Sequence, residues 1–429
     1  MQSDWRQVTL GEFVRLQRGH DLTASEQRPG QFPVMGSAGP NGTHAEFKAF
    51  GPGVVIGRSG ASMGRVHFCE TDYWPHNTCL YVTDFLENNP LFAFYKLAEL
   101  NLARYNSGSA QPSLNRNYIY GMSLWIPSRH IQDQIVRVVH SIDKKIDLYH
   151  RINQTLEAMA QAIFQSWFVD FDPVKAKITA KAEGSDPLRA AMSAISGKAD
   201  AELDALSPEQ YEQLAATAAL FPDDMEESEY GEIPKGWGFR SVADVAEFGR
   251  GKVDVSILNE DIYISTENML ENRGGVSRAT SLPSVATVPS FKTGQILVSN
   301  IRPYFKKIWM AHFDGGRSPD VLAFESIVPQ STEFLYNLMY QDAFFEFMTR
   351  TAKGAKMPRG DKDAIMGWRF PCPDEVLMVC FSEKVRHYYE YINSLKSESD
   401  SLAELRDTLL PKLLSGELSV ADAMVEAVA

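Results

Sequence analysis

Apolar residues recur in steps of three and four along 131–167. They fall on Ile131, Ile135, Val138, Ile142, Tyr149, Ile152, Leu156, Met159 and Ile163, with Lys145 as the polar defect. The positions between carry most of the Asp, Lys, Arg, Gln and His, which marks a narrow coiled-coil seam rather than the broad stripe of a surface helix. No Gly or Pro interrupts the stretch, and its length predicts a rod of roughly 55 Å. Such a helix cannot cover its seam alone. A second stretch in the same phase is the expected partner: Met378, Phe381, Val385, Tyr388, Ile392, Leu395 and Leu402, with Ser399 as its defect and Leu405, Leu409 and Leu413 prolonging it.

The two stretches lie 243 residues apart, and the segments before them repeat as well. WGFRSVADVAEFGRG answers WRQVTLGEFVRLQRG, each opening on Trp and closing on Arg-Gly. FKTGQILVSNIRPYFKKIWMAHF answers FGPGVVIGRSGASMGRVHF, with a Gly-rich turn in one and IRPYFKK in the other. β-branched runs around these turns read as strands, and NPLFAFYKLAEL and STEFLYNLMY as helices. The predicted fold is α+β: two mixed α/β modules separated by two long helices packed as an antiparallel coiled coil, in a pseudo-two-fold internal repeat. The modules are 1–128 and 237–373, the helices 129–170 and 374–415, and a tail fills 416–429. The connector, 171–236, is Ala-rich in part and predicts one or two helices, one of them starting at Ser207-Pro208-Glu209.

Composition is that of an ordinary soluble chain, 44% hydrophobic and 23% charged over 429 residues. No apolar run is long enough to cross a membrane and the start MQSDWRQVTLGEF is no signal peptide, so a cytoplasmic protein without membrane contact is expected. Cys69, Cys79, Cys372 and Cys380 form no CxxC, consistent with that reduced setting. The net charge of −13 is unevenly spread. Residues 171–236 hold six basic and fourteen acidic side chains, whereas 237–373 hold sixteen basic and fifteen acidic. The acidity therefore lies in the connectors, and two near-neutral modules rich in Arg and Lys remain open to DNA.

Catalytic signatures are missing: there is no GxxxxGK[ST], HExxH, Rossmann fingerprint or Asn/Asp-Pro-Pro-Tyr/Phe segment. His67, Cys69, His76 and Cys79 resemble a metal set only loosely, and the second module does not repeat them, so no metal is assigned. The basic loops are more informative. In the first module Arg58, Ser59, Arg65, Arg104, Gln111, Asn115 and Arg116 fall on or near turns. In the second, Arg302, Lys306, Lys307, Arg317, Lys353, Lys356 and Arg359 do so at matching places. Arg reads guanine bidentately, Asn and Gln read adenine, and Lys with Ser or Thr holds phosphates.

SWFVDFDPVKAK after the first helix, LFPDDMEESEYGEIPKGW before the second module and LAELRDTLLPKLLSGEL at the end resemble the specificity (S) subunits of type I restriction–modification systems. GSAQPSLN and WRQVTLGEF are similar to that family too, so the resemblance spans the chain. It implies two target-recognition domains, each reading half of a bipartite gapped DNA site, on helices that set the spacing and dock two methyltransferase (M) subunits. Restriction (R) subunits would add cleavage, and S-adenosylmethionine, Mg²⁺ and ATP would belong to those partners, none to this chain. The alternative is a two-module protein-binding scaffold without DNA recognition.

Overall fold

The computed structural model describes residues 4–107, 112–229 and 231–426. The chain folds into two compact units, 1–150 with 396–429, and 151–395. Both long helices are continuous, Arg129–Phe168 and Glu375–Ser415, and each contributes one half to each unit.

In the first unit, four antiparallel strands lie in the order Arg15–Arg18, Cys79–Asp84, Gly53–Gly57, Val66–Cys69. The central GVVIG strand is buried at every position, as its β-branched run requires. Gly39–His44, Phe32–Gly36 and Trp74–Pro75 form a second sheet. Helix Pro90–Glu99 starts at Asn89, whose side chain accepts from the N–H groups of Leu91 and Phe92. Trp5–Thr9 pairs with Ser123–Pro127 and so leads into the first long helix.

That core is completed from far along the chain. Ile135 and Val139 of the first long helix join Leu409, Leu413 and Leu414 of the second around Phe13, Ile56 and Phe92. The helices run antiparallel here, with Asp143 3.0 Å from Arg406 and Lys145 2.6 Å from Glu398. Tyr149 donates to the same Glu398 carboxylate, so the polar defect at Lys145 is answered across the seam. Lys96 is buried, and its Nζ donates to the Leu414 carbonyl at 3.0 Å. A cation there suits the negative end of a long helix.

The second unit repeats the sheet order with Ala246–Phe248, Val321–Ser326, Ile296–Ser299 and Ile308–Met310. Gly238–Ser241 pairs with Arg369–Cys372 and leads into the second long helix, as Trp5–Thr9 does for the first. Helices Thr332–Tyr340 and Asp342–Thr351 close over the sheet through Phe334, Phe344 and Phe345.

The connector departs from expectation. It holds four helices rather than one or two, Asp172–Glu183, Pro187–Ser196, Asp200–Leu203 and Pro208–Ala219, and then a hairpin of Met225–Ser228 with Gly231–Pro234. Left-handed Gly184 and Gly197 end the first two, and Asp186 and Ser207 cap the starts of the second and fourth. Ala191, Met192, Ile195, Leu203, Ala218 and Phe221 are buried in the second unit's core. Trp167, Phe168 and Phe171 meet Phe221, Trp237, Phe334 and Phe381 there in tilted and edge-to-face pairs.

The seam also shifts from the expected positions. Ile135, Ile142, Met378, Phe381, Val385, Ile392 and Leu395 are buried. Val139 is buried where Val138 was expected, and Tyr389 where Tyr388 was. Ile152 and Leu156 are half-buried, while Met159 is 43% exposed and Ala160 takes its place. A straight helix of 3.6 residues per turn drifts off a seven-residue repeat, and packed sheets and connector helices move the buried face further.

Candidate nucleic-acid interface

In each module the turn after the central strand is bonded to the loop that precedes the long helix. In the first, Gly60 N–H donates to Pro112 O at 3.1 Å, Leu114 N–H to Arg58 O at 2.8 Å, and Gly57 N–H closes the turn on Arg65 O at 2.7 Å. In the second, Arg302 N–H donates to Pro358 O at 2.8 Å, Gly360 N–H to Asn300 O at 3.0 Å, and Ser299 N–H closes on Lys307 O at 3.1 Å. Bridges Ser59 with Ser113 and Ile301 with Arg359 complete the match. The IRPYFKK turn therefore shares these closing and bridging bonds with the Gly-rich turn, although within it Lys306 N–H donates to Pro303 O where Gly64 N–H donates to Gly57 O. The left-handed positions coincide: Gly60 (φ +78°) and Gly64 (φ +84°) correspond to Arg302 (φ +49°) and Lys306 (φ +51°).

Three of the seven first-module candidates, Arg58, Asn115 and Arg116, line one polar groove of about 620 Å³ together with Arg18, His20 and Asp21. Arg58 Nη1 donates to Asn77 O at 3.3 Å, and Ser59 N–H to Ser37 Oγ. Arg116 Nη1 donates to Leu16 O at 2.7 Å, which fixes one edge of its guanidinium to the sheet. Asn115 caps the short helix Arg116–Ile119. Arg65 is exposed, as is Arg104, which lies over the Tyr105 ring. Gln111 lies outside the described residues. Arg18, His20 and Asp21 were not among the expected residues, although the Arg-Gly that closes both module openings pointed to Arg18 and to the exposed Arg250 of the second module.

In the second module the structure sorts the cations by partner. Lys306 sits 2.6 Å from Asp342, and with Arg273 it holds that carboxyl below the usual carboxylate range. Arg359 pairs with Asp320 at 3.1 Å, and Lys353 pairs with Asp361, which raises the Lys353 ammonium. Lys307 donates to Thr266 O at 2.8 Å. Arg302 and Lys356 are exposed and have no carboxylate partner among the described residues. Arg317 corrects the expectation of a surface cation. It is 8% exposed, its guanidinium donates to the Ser290, Val321 and Gly249 carbonyls, and burial lowers its pKa. It ties strand edges together and is withdrawn from any ligand.

Two packing features fix the paired loops. A Cβ on Gly64 would fall 2.4 Å from the Ala103 nitrogen, and one on Gly360 would fall 2.6 Å from Asn300 Oδ1. The Cys69 and Cys79 thiols donate to backbone carbonyls, and burial pushes Cys79 up to about 12. His76 Nδ1 lies 3.0 Å from Thr78 Oγ1, and His67 Nε2 is 3.2 Å from Ser37 O. Each of these four residues is engaged within the protein.

Residues 2–158 match the type I restriction modification DNA specificity domain. The specificity subunit of the type I restriction enzyme HindI from Haemophilus influenzae is 32% identical over 357 residues, 78% of this chain and 76% of that one. The EcoDI specificity subunit from Escherichia coli is 21% identical over 445 aligned positions, 97% of this chain and 89% of that one. Among solved structures, the type I restriction–modification S subunit from M. genitalium superposes with a TM-score of 0.58 at 13% identity, covering 96% of each chain. That last likeness speaks for the fold.

Proposed function

The chain belongs to the specificity subunits of type I restriction enzymes, and we propose that its two modules each read one half of a two-part, gapped DNA site. It is the non-catalytic DNA-recognition subunit of a restriction endonuclease and adenine methyltransferase complex. Its partners are double-stranded DNA, methyltransferase subunits, two of them in this reading, and restriction subunits. S-adenosylmethionine, Mg²⁺ and ATP belong on those partners, and the assembly acts in the cytoplasm. No helix among the described residues is long and apolar enough to cross a membrane.

The observation that carries the two-reader assignment is the loop pair built by the same backbone hydrogen bonds at corresponding places in both modules. Each pair presents cations: Arg58, Arg65 and Arg116 in one, Arg302, Lys356 and Arg359 in the other. One chain thus carries one reading device twice. The long helices, of 40 and 41 residues, are the spacer in this reading. A duplex offers the same groove again after one turn, roughly 34 Å along its axis.

Two measurements test this. Affinity of the complex with its methyltransferase subunits for duplex DNA should fall steeply with salt, and sequencing of methylated DNA from expressing cells should return a gapped adenine motif. A protein scaffold would show neither. Inserting one heptad into each long helix adds about 10.5 Å of rise and should lengthen the gap by about three base pairs. An unchanged gap would remove the helices as the spacer.

A further inference from the structure

We propose that Arg302 is the base-reading residue of the second module, taking a guanine edge in the second half of the site. The inference rests on the DNA-reading role above and assigns one residue its part in it.

Backbone conformation is the first reason. Arg302 holds φ +49° and ψ +66°, a left-handed geometry that costs a non-Gly residue energy and is normally left to Gly, Asn or Asp. The first module has Gly60 at the equivalent position, so the fold itself is served by glycine. Arginine there adds nothing to the turn's backbone, and a strained residue held by surrounding bonds points to function.

Direction is the second. A Cβ built on Gly60 meets nothing within 4 Å, so a side chain at this apex projects into open space in the first module. Arg302 occupies the matching apex and is exposed. Among the described residues its guanidinium has no carboxylate partner; it lies 6.0 Å from the Phe305 ring centroid. Lys306, Lys353 and Arg359 around it are each paired with an aspartate.

Its neighbours separate bases from phosphates. Tyr304 is 48% exposed, and Met357, beside the Pro358 whose carbonyl accepts from Arg302, is 51% exposed. Apolar groups flanking the Arg302 guanidinium suit base edges and thymine methyls, while the exposed Lys356 on the same bonded loop is the cation suited to phosphate.

The test uses the complex of this chain with its methyltransferase subunits, and the variants Arg302→Gly and Arg302→Asn, both of which tolerate the left-handed backbone. The expected result is a melting temperature equal to or above wild type, with affinity for the recognised duplex lower by about 10- to 100-fold. The methylation motif should relax at one guanine position, in one half-site only. An unchanged motif and affinity would overturn the assignment. Equal loss on recognised and random duplex would also overturn it, by making Arg302 a phosphate contact. If the wild-type complex itself showed no sequence preference, the DNA-reading role would be what failed.

Discussion

The two modules share a sheet order and a loop pair, yet they are assembled differently. The first draws its last core residues, Leu409, Leu413 and Leu414, from the far end of the chain, whereas the second is built from 151–395 alone. Their turns differ in the same spirit. Glycine occupies both left-handed positions of the first, and Arg302 and Lys306 occupy them in the second, with Lys306 tied to Asp342. Left-handed positions are thus filled without side chains in one turn, and in the other by one ion-paired lysine and one arginine without a carboxylate partner among the described residues. Repeated architecture does not require repeated chemistry at the positions that hold it.

The largest expected difference follows from assembly. Removing 396–429 strips three leucines that are at most 1% exposed. Each buried Leu is worth about 2–5 kcal/mol, so the loss rivals the whole stability of a typical domain. Amide exchange across 1–128 should collapse to unfolded rates while 237–373 keeps its protection. Equal protection in both would break the comparison. Leu413→Ala, at about 2–5 kcal/mol, is the graded form of the same test.

Next comes the turn. Gly64→Ala places a methyl against the Ala103 backbone at a positive φ, and about 2–4 kcal/mol of destabilisation is expected in chemical unfolding. Lys306→Gly at the equivalent place relieves the left-handed backbone and loses an ion pair whose Asp342 partner is mostly exposed, so it should stay within about 1 kcal/mol of wild type. Similar costs for the two variants would show that the positions are not equivalent after all.

How much of this the sequence disclosed depends on how local each signal is. The long helices were legible because a seam repeats every few residues for ten turns, and the doubled architecture because Trp openings, Arg-Gly closures and turn positions recur. The connector was underestimated. Its alanines each bury little, so periodicity is faint there, while the cap signals at Asp186-Pro187, Gly184 and Gly197 were plain enough to count helices. Within the site, the cationic loops were visible but their partners were not. Arg317, next to Ser318 and Pro319, reads like a turn cation, and only the fold brings three carbonyls around it. The correspondence of Arg302 with Gly60 was hidden for a related reason. An arginine does not advertise a left-handed backbone, and the match appears only when the hydrogen bonds to Pro112 and Pro358 are set side by side.

The smallest effect concerns acid. Lys306 first, and Arg273 with it, hold the Asp342 carboxyl below its ordinary range. A carboxylate whose pKa is lower in the folded than in the unfolded chain stabilises fully above the usual carboxylate range, and that contribution is lost as pH falls through its lowered value. Because the Asp342 side chain is 62% exposed, solvent screening limits the contribution to less than about 1 kcal/mol. Amide exchange at 300–307 should therefore quicken modestly below about pH 4, where unperturbed carboxylates begin to protonate, with the turn at 58–65 unaffected. In Asp342→Asn the acid dependence at 300–307 should vanish and its exchange at neutral pH should already be raised. If both turns loosened together on acidification, the ion pair would be incidental, and the two left-handed cations would be held by backbone bonds alone, as the two glycines are.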